Sequence, residues 1–458
     1  MKVMMSEANK VLLSRREAVA RGLAAVAGGA ALASVPARAF AAASTGQPAT
    51  TVSAALLDSG TLAPGRPGVD YLPVITPNGA SLPWKVVDGV KVYHLVAEPV
   101  EHEFAPGLRA SCWGYSGSTI GPTIEAVEGD RVRIYVTNRL PEPTSIHWHG
   151  IFVPSGMDGV AGLSQAPIDV GKTFKYEFTL RQHGTYMYHP HTDEMVQQAL
   201  GMMGMFVIHP RVPQGRRPDR DYALLSSEWK ITPGTSRPDP NEMTEFNVFT
   251  FNSKVFPATE QLVAELGDLV RIRLGNLSAM SHHPIHIHGH AWHAVGTDGG
   301  DIPASARWPE TSVLVPVGAA RTMEFIADNP GDWAIHCHMS HHIMNQMGHP
   351  GVNVIGVRDE RINRPVQALL PDYMTMGTQG MADMANMSSM GMAVPRNSIP
   401  MLGGEGKHSN IDMGGMFTII KVRDRLTNAS AREWYVNPPG TLALEASADE
   451  LARDGVRP

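Results

Sequence analysis

A chain of 458 residues with 45 glycines, 35 prolines and 18% charged residues has room for two or three domains and the texture of a turn-rich β protein. Its net charge of −6 gives no footing for nucleic acid. Two cysteines, Cys112 and Cys337, exclude a disulfide framework, and 20 histidines that cluster rather than scatter point to metal.

In chain order, Ser14-Arg15-Arg16 precedes an apolar Ala/Gly run from Ala18 to Ala33, with small residues at Ala37, Ala39 and Ala41. This predicts a twin-arginine export signal over 1–42, too short and Ala-rich for a lasting membrane span. The expected location is periplasmic or secreted. Residues 43–82, rich in Ser, Thr, Gly, Ala and Pro, read as a flexible linker or arm. From Trp84 onward, short runs of Val, Ile, Tyr and Phe alternate with Gly/Pro turns. Val86–Leu95, Thr123–Val127, Arg131–Thr137 and Thr173–Thr179 are strand candidates, and Cys112 reads as a small buried hydrophobe.

Two halves repeat. A strand, a Gly-Asp turn, a strand reading V-R-I, a turn and then H-x-H-G lead to Gly150 in one half and to Gly289 in the other. GTYMYHPH (184–191) then matches GDWAIHCH (331–338). Each half is expected to be a β-sandwich of ordinary domain size: 83–212 and 213–360, followed by a Met-rich extension and solvated tail over 361–458. The repeat yields four H-x-H pairs: His147/His149, His189/His191, His286/His288 and His336/His338. On a strand, i and i+2 share a face, so each pair presents two imidazoles to one pocket. Eight imidazoles exceed the three or four that one ion needs.

The second half carries something the first lacks. Cys337 has His342 five residues on and Met347 ten on, and His283 lies in the preceding motif. Two imidazoles, a thiolate and a weak thioether suit a trigonal blue copper site. His336 and His338 point away from the cysteine on the same strand, toward the second cluster. The equivalent first-half positions are Thr144, Pro190, Met195 and Leu200, which make no comparable site.

With these motifs the chain, over roughly 83–357, resembles a two-domain, laccase-like multicopper oxidase. The resemblance implies an all-β fold of two cupredoxin-like Greek-key sandwiches in tandem. It implies four coppers per functional unit: one type 1, one type 2 and two type 3. The type 1 ligands would be His283, Cys337, His342 and Met347. His147 and His286 would hold type 2 copper, and His149, His189, His191, His288, His336 and His338 the type 3 pair. Electrons from a small reducing substrate would pass through Cys337 to His336 and His338, for four-electron reduction of O2 to water. Asp158 resembles the family's acidic residue near the cluster, though it also suits an Asp-Gly turn. The position where relatives carry a second acid, after the last histidine of the cysteine motif, is Ile343. With no room for a middle domain, the resemblance implies a homotrimer with a cluster at each subunit junction.

Ten methionines between Met374 and Met416 lie among Gly, Ser and Asn. Thioethers select Cu(I), so this segment reads either as a Cu(I)-docking loop or as gap-filling apolar cover. Asp298, Asp301 and Glu310 read as solvated loop charges rather than a metal-substrate site. The substrate is a phenol, an aromatic amine or a low-valent metal ion such as Cu(I). Alternative readings are a copper-sequestering protein and, less well supported by eight paired imidazoles, a copper nitrite reductase. No partner nucleic acid or membrane is expected.

Overall fold

In the computed structural model the described residues are 62–213, 215–345, 354–355, 360–369, 375–376, 396–400 and 403–457. Among them, β-strands dominate and no helix is long and apolar enough to cross a membrane.

The first half contains β1 (Trp84–Val87), β2 (Val90–Ala105), β3 (Leu108–Tyr115), β4 (Gly121–Val127), β5 (Arg131–Asn138), β6 (His147–His149), β7 (Thr173–Thr179), β8 (Gly184–His189), α1 (Glu194–Ala199) and β9 (Gly204–His209). The expected strand Val86–Leu95 is two strands, because Asp88 and Gly89 both take positive φ (51° and 77°) and turn the chain back as a hairpin. One sheet runs β1-β2-β5-β7, with β3 on β2, and the other β4-β9-β8-β6. β5 alternates between core and surface, as a half-buried strand should. β4, β8 and β9 are buried along their whole length. The reason is a second cover: Tyr186 and Tyr188 face the first core, around Trp148 and Phe206, while Met187, Met205 and Val207 face Ala223, Leu225 and Leu277 of the second half.

The second half contains β10 (Arg220–Trp229), β11 (Val248–Phe251), β12 (Leu262–Glu265), β13 (Leu269–Asn276), β14 (His283–Ile287), β15 (Trp292–Thr297), β16 (Gly300–Asp301), β17 (Trp308–Glu310), β18 (Ser312–Val315), β19 (Ala320–Ile326), β20 (Gly331–Cys337) and β21 (Phe417–Arg423). One sheet runs β11-β10-β13-β19-β15-β16, with β17 on β15, and the other β12-β21-β20-β14-β18. β21 lies parallel to β12 and antiparallel to β20, as β9 lies parallel to β4 and antiparallel to β8. The second sandwich therefore closes with a strand that follows the Met-rich stretch. That stretch is an insertion between the last two strands of the domain, not a C-terminal extension beginning at 361. Further on, α2 (Glu360–Leu369) falls within the insertion and α3 (Ala448–Arg453) near the end.

Residues 62–82 are not a flexible linker. Val74 and Leu82 are buried, Tyr71 stacks on His209 at 4.2 Å, and Gly65 and Val74 donate backbone N–H bonds to Asp130 and Glu125. Asn78 and Glu260 exchange two 2.7 Å bonds, and Ile75 bridges to Tyr222. The strap thus ties one sandwich to the other. Cys112 is buried among Phe104, Trp229 and Val248, and its thiol is pushed well up by that burial, as a packing residue's would be. The 1–42 segment and Met347 lie outside the described residues.

Candidate metal centres

β14 and β20 pair in antiparallel register, with Ile285 opposite Cys337 and His286 opposite His336. This places His283 at one end of β14 beside Cys337. His342 returns to the same point from a 3₁₀ turn, Ser340–Ile343. The Cys337 sulfur lies 3.7 Å from His283 Nδ1 and 3.6 Å from His342 Nδ1, and those two nitrogens are 3.2 Å apart. All three side chains are buried. Burial holds His283 down at about 3 and His342 at about 4, so both lone pairs are free for a metal. The same burial raises the Cys337 thiol to about 12, so a bound cation has to displace its proton. Two imidazoles and one sulfur, converging without a fourth described ligand, fit the trigonal donor set of a blue copper site.

Two partners invisible to motif reading hold this trio. The Ser278 hydroxyl, itself buried, sits 2.7 Å from His283 Nε2 and leaves Nδ1 facing the sulfur. Phe249 stacks on His342 with ring centroids 4.0 Å apart. The end of the methionine insertion closes the far side: Cys337 N donates to Met416 O at 3.0 Å, and Met416 N to His342 O at 3.0 Å.

The first half shows why it holds no such site. Thr144 occupies the His283 position and hydrogen-bonds Gln197 at 2.6 Å in the core. Met195, which sequence alignment places opposite His342, is 62% exposed. α1 rotates it outward and turns Gln197 inward instead.

The eight paired histidines form two quartets. His147 sits 5.4–5.7 Å, centroid to centroid, from His149, His189 and His191. His286 sits 4.8–5.6 Å from His288, His336 and His338. Among the described residues no ring contact joins one quartet to the other. Carbonyl oxygens can only accept, so they reveal which ring nitrogen carries hydrogen. Nδ1 of His147, His189, His286 and His336 donates to the carbonyls of Asp158, Pro190, Thr311 and Cys337 at 2.7–2.9 Å, which leaves Nε2 free. His149 is reversed: Nε2 donates to Gly318 O at 2.8 Å and Nδ1 faces His189 Nε2 at 3.2 Å. One nitrogen each of His147, His149 and His189 lies within 4.8 Å of the others. Burial lowers His189 to about 3 and His336 to about 4, again the neutral form a metal needs.

Asp158 meets His147 twice, through its carbonyl at 2.9 Å and its carboxylate at 3.4 Å. The adjoining Gly159 has φ +86°, and a Cβ there would lie 1.6 Å from Ile146 O, so only glycine lets this loop press on β6. Of the loop acids, Asp298 pairs with Arg321 at 2.9 Å, Asp301 with His183 at 3.3 Å, and Glu310 accepts from Trp308 at 2.5 Å. They are tied into structural contacts rather than standing as the solvated loop charges expected.

Comparison with known proteins agrees with this donor set. Residues 97–213 and 232–354 match two family models, each described as multicopper oxidase, and together they cover more than half of the chain. Copper resistance protein A of Pseudomonas syringae pv. tomato is 40% identical over 123 residues, 27% of this chain. The match spans only 20% of that relative's length. The blue copper oxidase of Nitrosomonas europaea superposes with a TM-score of 0.53 at 25% identity, over 72% of this chain and 85% of its own. The multicopper oxidase mgLAC gives 0.55 at 25%, over 76% and 90%. A buried Cys–His–His trio beside four H-x-H pairs, on two cupredoxin-like sandwiches matched by both models, places the chain in the multicopper oxidase family.

Proposed function

We propose that this chain is an exported copper oxidase that couples one-electron oxidation of a small reducing substrate to reduction of O2 to water. The observation that carries it is the converged trio of His283, Cys337 and His342, with Cys337 joined by single peptide bonds to His336 and His338 of the second quartet. Bound copper supplies the one-electron chemistry and the reduction of O2. The protein's part is positional. His283, Cys337 and His342 would hold type 1 copper, with Met347 as a further, weaker ligand on the strength of its spacing. His147 and His286 would hold type 2 copper. His149, His189, His191, His288, His336 and His338 would hold the type 3 pair. Asp158 orients His147 and keeps a half-exposed carboxylate beside it, a sensible place from which to deliver a proton.

Four coppers need both quartets together. Since no ring contact joins the two quartets among the described residues, the reading favoured is a ring of three copies, the first quartet of one copy meeting the second quartet of the next. Ser14-Arg15-Arg16 and the apolar run after it support the export reading.

For substrate we favour Cu(I), and so a role in copper tolerance. Support comes from the methionine insertion, whose end is anchored on the Cys337–His342 loop, and from the copper resistance protein that is 40% identical. Oxygen uptake by copper-loaded protein, with Cu(I) against a methoxyphenol, tests this. The deletion to compare is 381–392, because Met416 is buried beside Cys337 and has to stay. Faster uptake with Cu(I), lost on deletion, supports the proposal. Fast phenol oxidation indifferent to the deletion makes the chain a laccase. Blue protein with no uptake favours a copper-sequestering role.

A further inference from the structure

Beyond Tyr435 the chain leaves its own body. Tyr435 N donates to Asp332 at 2.7 Å, and Trp434 packs near Phe256 and Phe417. From Val436 to Arg457 every residue is exposed except the half-buried Leu451. Among the described residues the hydrogen bonds of this stretch are all local, such as Thr441 to Pro438 and Val456 to Leu451. Yet it is not built like a solvated tail. Val436 and Leu444 are each 81% exposed, and Leu442 and Val456 also stand open. Four large apolar side chains thus stand open within one segment of 22 residues, more densely than the single exposed apolar residues of an ordinary surface.

The end of the segment repeats the point. α3 has a complete capping box, Ser447 with Glu450, and places Ala448, Leu451 and Ala452 on one side with Asp449, Glu450 and Arg453 elsewhere. It buries no residue. A six-residue helix has too few hydrogen bonds to offset its nucleation and does not persist in water without a surface to pack on. The described residues of its own chain supply none.

We infer that residues 436–457 are an exchange arm that docks on a second copy of this chain. The occupant is a second copy because no ring contact joins the two quartets of one chain among the described residues, and in the ring proposed above the first quartet of one copy stands against the second quartet of the next. The inference therefore rests on the trimer proposed above. Reach is sufficient. Residues 436–447 alone extend up to about 40 Å, against a radius of gyration of about 23 Å for a chain of this length. The arm would bury Leu442, Leu444 and the Ala448/Leu451/Ala452 face on the neighbour and lock the ring.

The test uses full-length, copper-loaded protein. Sedimentation across a dilution series compares wild type with L442D/L444D/L451D, and hydrogen exchange follows 436–457 in the wild type. None of the three substitutions touches the core, so the blue absorption should be unchanged. The expected result is a trimer that dissociates at a concentration at least tenfold higher in the variant, with the wild-type arm protected in the trimer and exposed on dilution. A stable wild-type trimer whose arm exchanges at the free-peptide rate overturns the arm and leaves the trimer standing. A wild type that is monomeric at every concentration removes both.

Discussion

At the residue scale, two buried polar pairs decide what each half can bind. In the second half Ser278 holds His283 by Nε2, and the sulfur, His283 and His342 meet. In the first half Thr144 and Gln197 satisfy each other in the equivalent place. Ser278→Ala leaves a buried imidazole N–H without a partner, which costs about 1–3 kcal/mol. Chemical denaturation of the copper-free protein should show that loss, and the copper-loaded variant should stay blue but with a shifted absorption maximum. The H-x-H pairs, Cys337 and His342 were legible in the sequence because strand alternation and fixed spacing specify them. Ser278, Phe249 and Gly318 were not. Each reaches a ligand across the fold or around a turn, and nothing in a lone serine, phenylalanine or glycine announces that.

At the element scale, the loop after β6 is the most constrained. Gly159→Ala would drive a Cβ into Ile146 O at a φ that side chains rarely adopt. The expected cost is about 2 kcal/mol or more, together with lower copper occupancy at the His147 quartet while the blue site, on other strands, is kept. Metal analysis alongside visible absorption checks both. The sequence placed β5 and β7 to within a residue, since a half-buried strand such as β5 alternates plainly. It could not place the end of the second sandwich. Its closing strand, β21, comes after the Met-rich stretch, and only its pairing with β12 and β20 shows that it belongs to the same domain as the cysteine. The 62–82 strap was misread as flexible for a related reason: its composition is that of a loop, and its order comes from carboxylates and backbone groups distant in sequence.

At the scale of the whole molecule, the two sandwiches are joined by charge as well as by apolar packing. Arg273 makes two 2.8 Å bonds to Asp221 and a third, at 2.9 Å, to Thr185 of β8. His183 lies 3.3 Å from both Glu128 and Asp301, with Arg271 and Arg273 lining the same cavity. Asp301 first, then Glu128, raises the imidazole to about 9. The contacts are at ion-pair distance without the alignment of good hydrogen bonds, and His183 Nδ1 has no such bond, so their worth is about 1–2 kcal/mol. A raised folded value means that this stabilisation is complete below about 6.5 and is lost as pH climbs through about 9. His183→Gln should flatten that part of the stability–pH curve without altering the blue band. An unchanged slope between pH 6.5 and 9 would show that other groups set it.

The placement of β21 also has a kinetic meaning. In the first sandwich, β8 and β9 are separated by a short link, 190–203. In the second, β20 waits for β21 across 338–416. Closing a loop roughly five times longer costs about 1.5 kcal/mol more in chain entropy before any pairing offsets it. During synthesis the first sandwich can complete itself while the ribosome is still reading the second. Cys337, whose backbone N–H is received by Met416 and whose strand needs β21 as a neighbour, stays unroofed until Arg423 has emerged. The half that carries Cys337 is therefore the last part of the molecule to become a folded object, and that thiol stays open to solvent until it does.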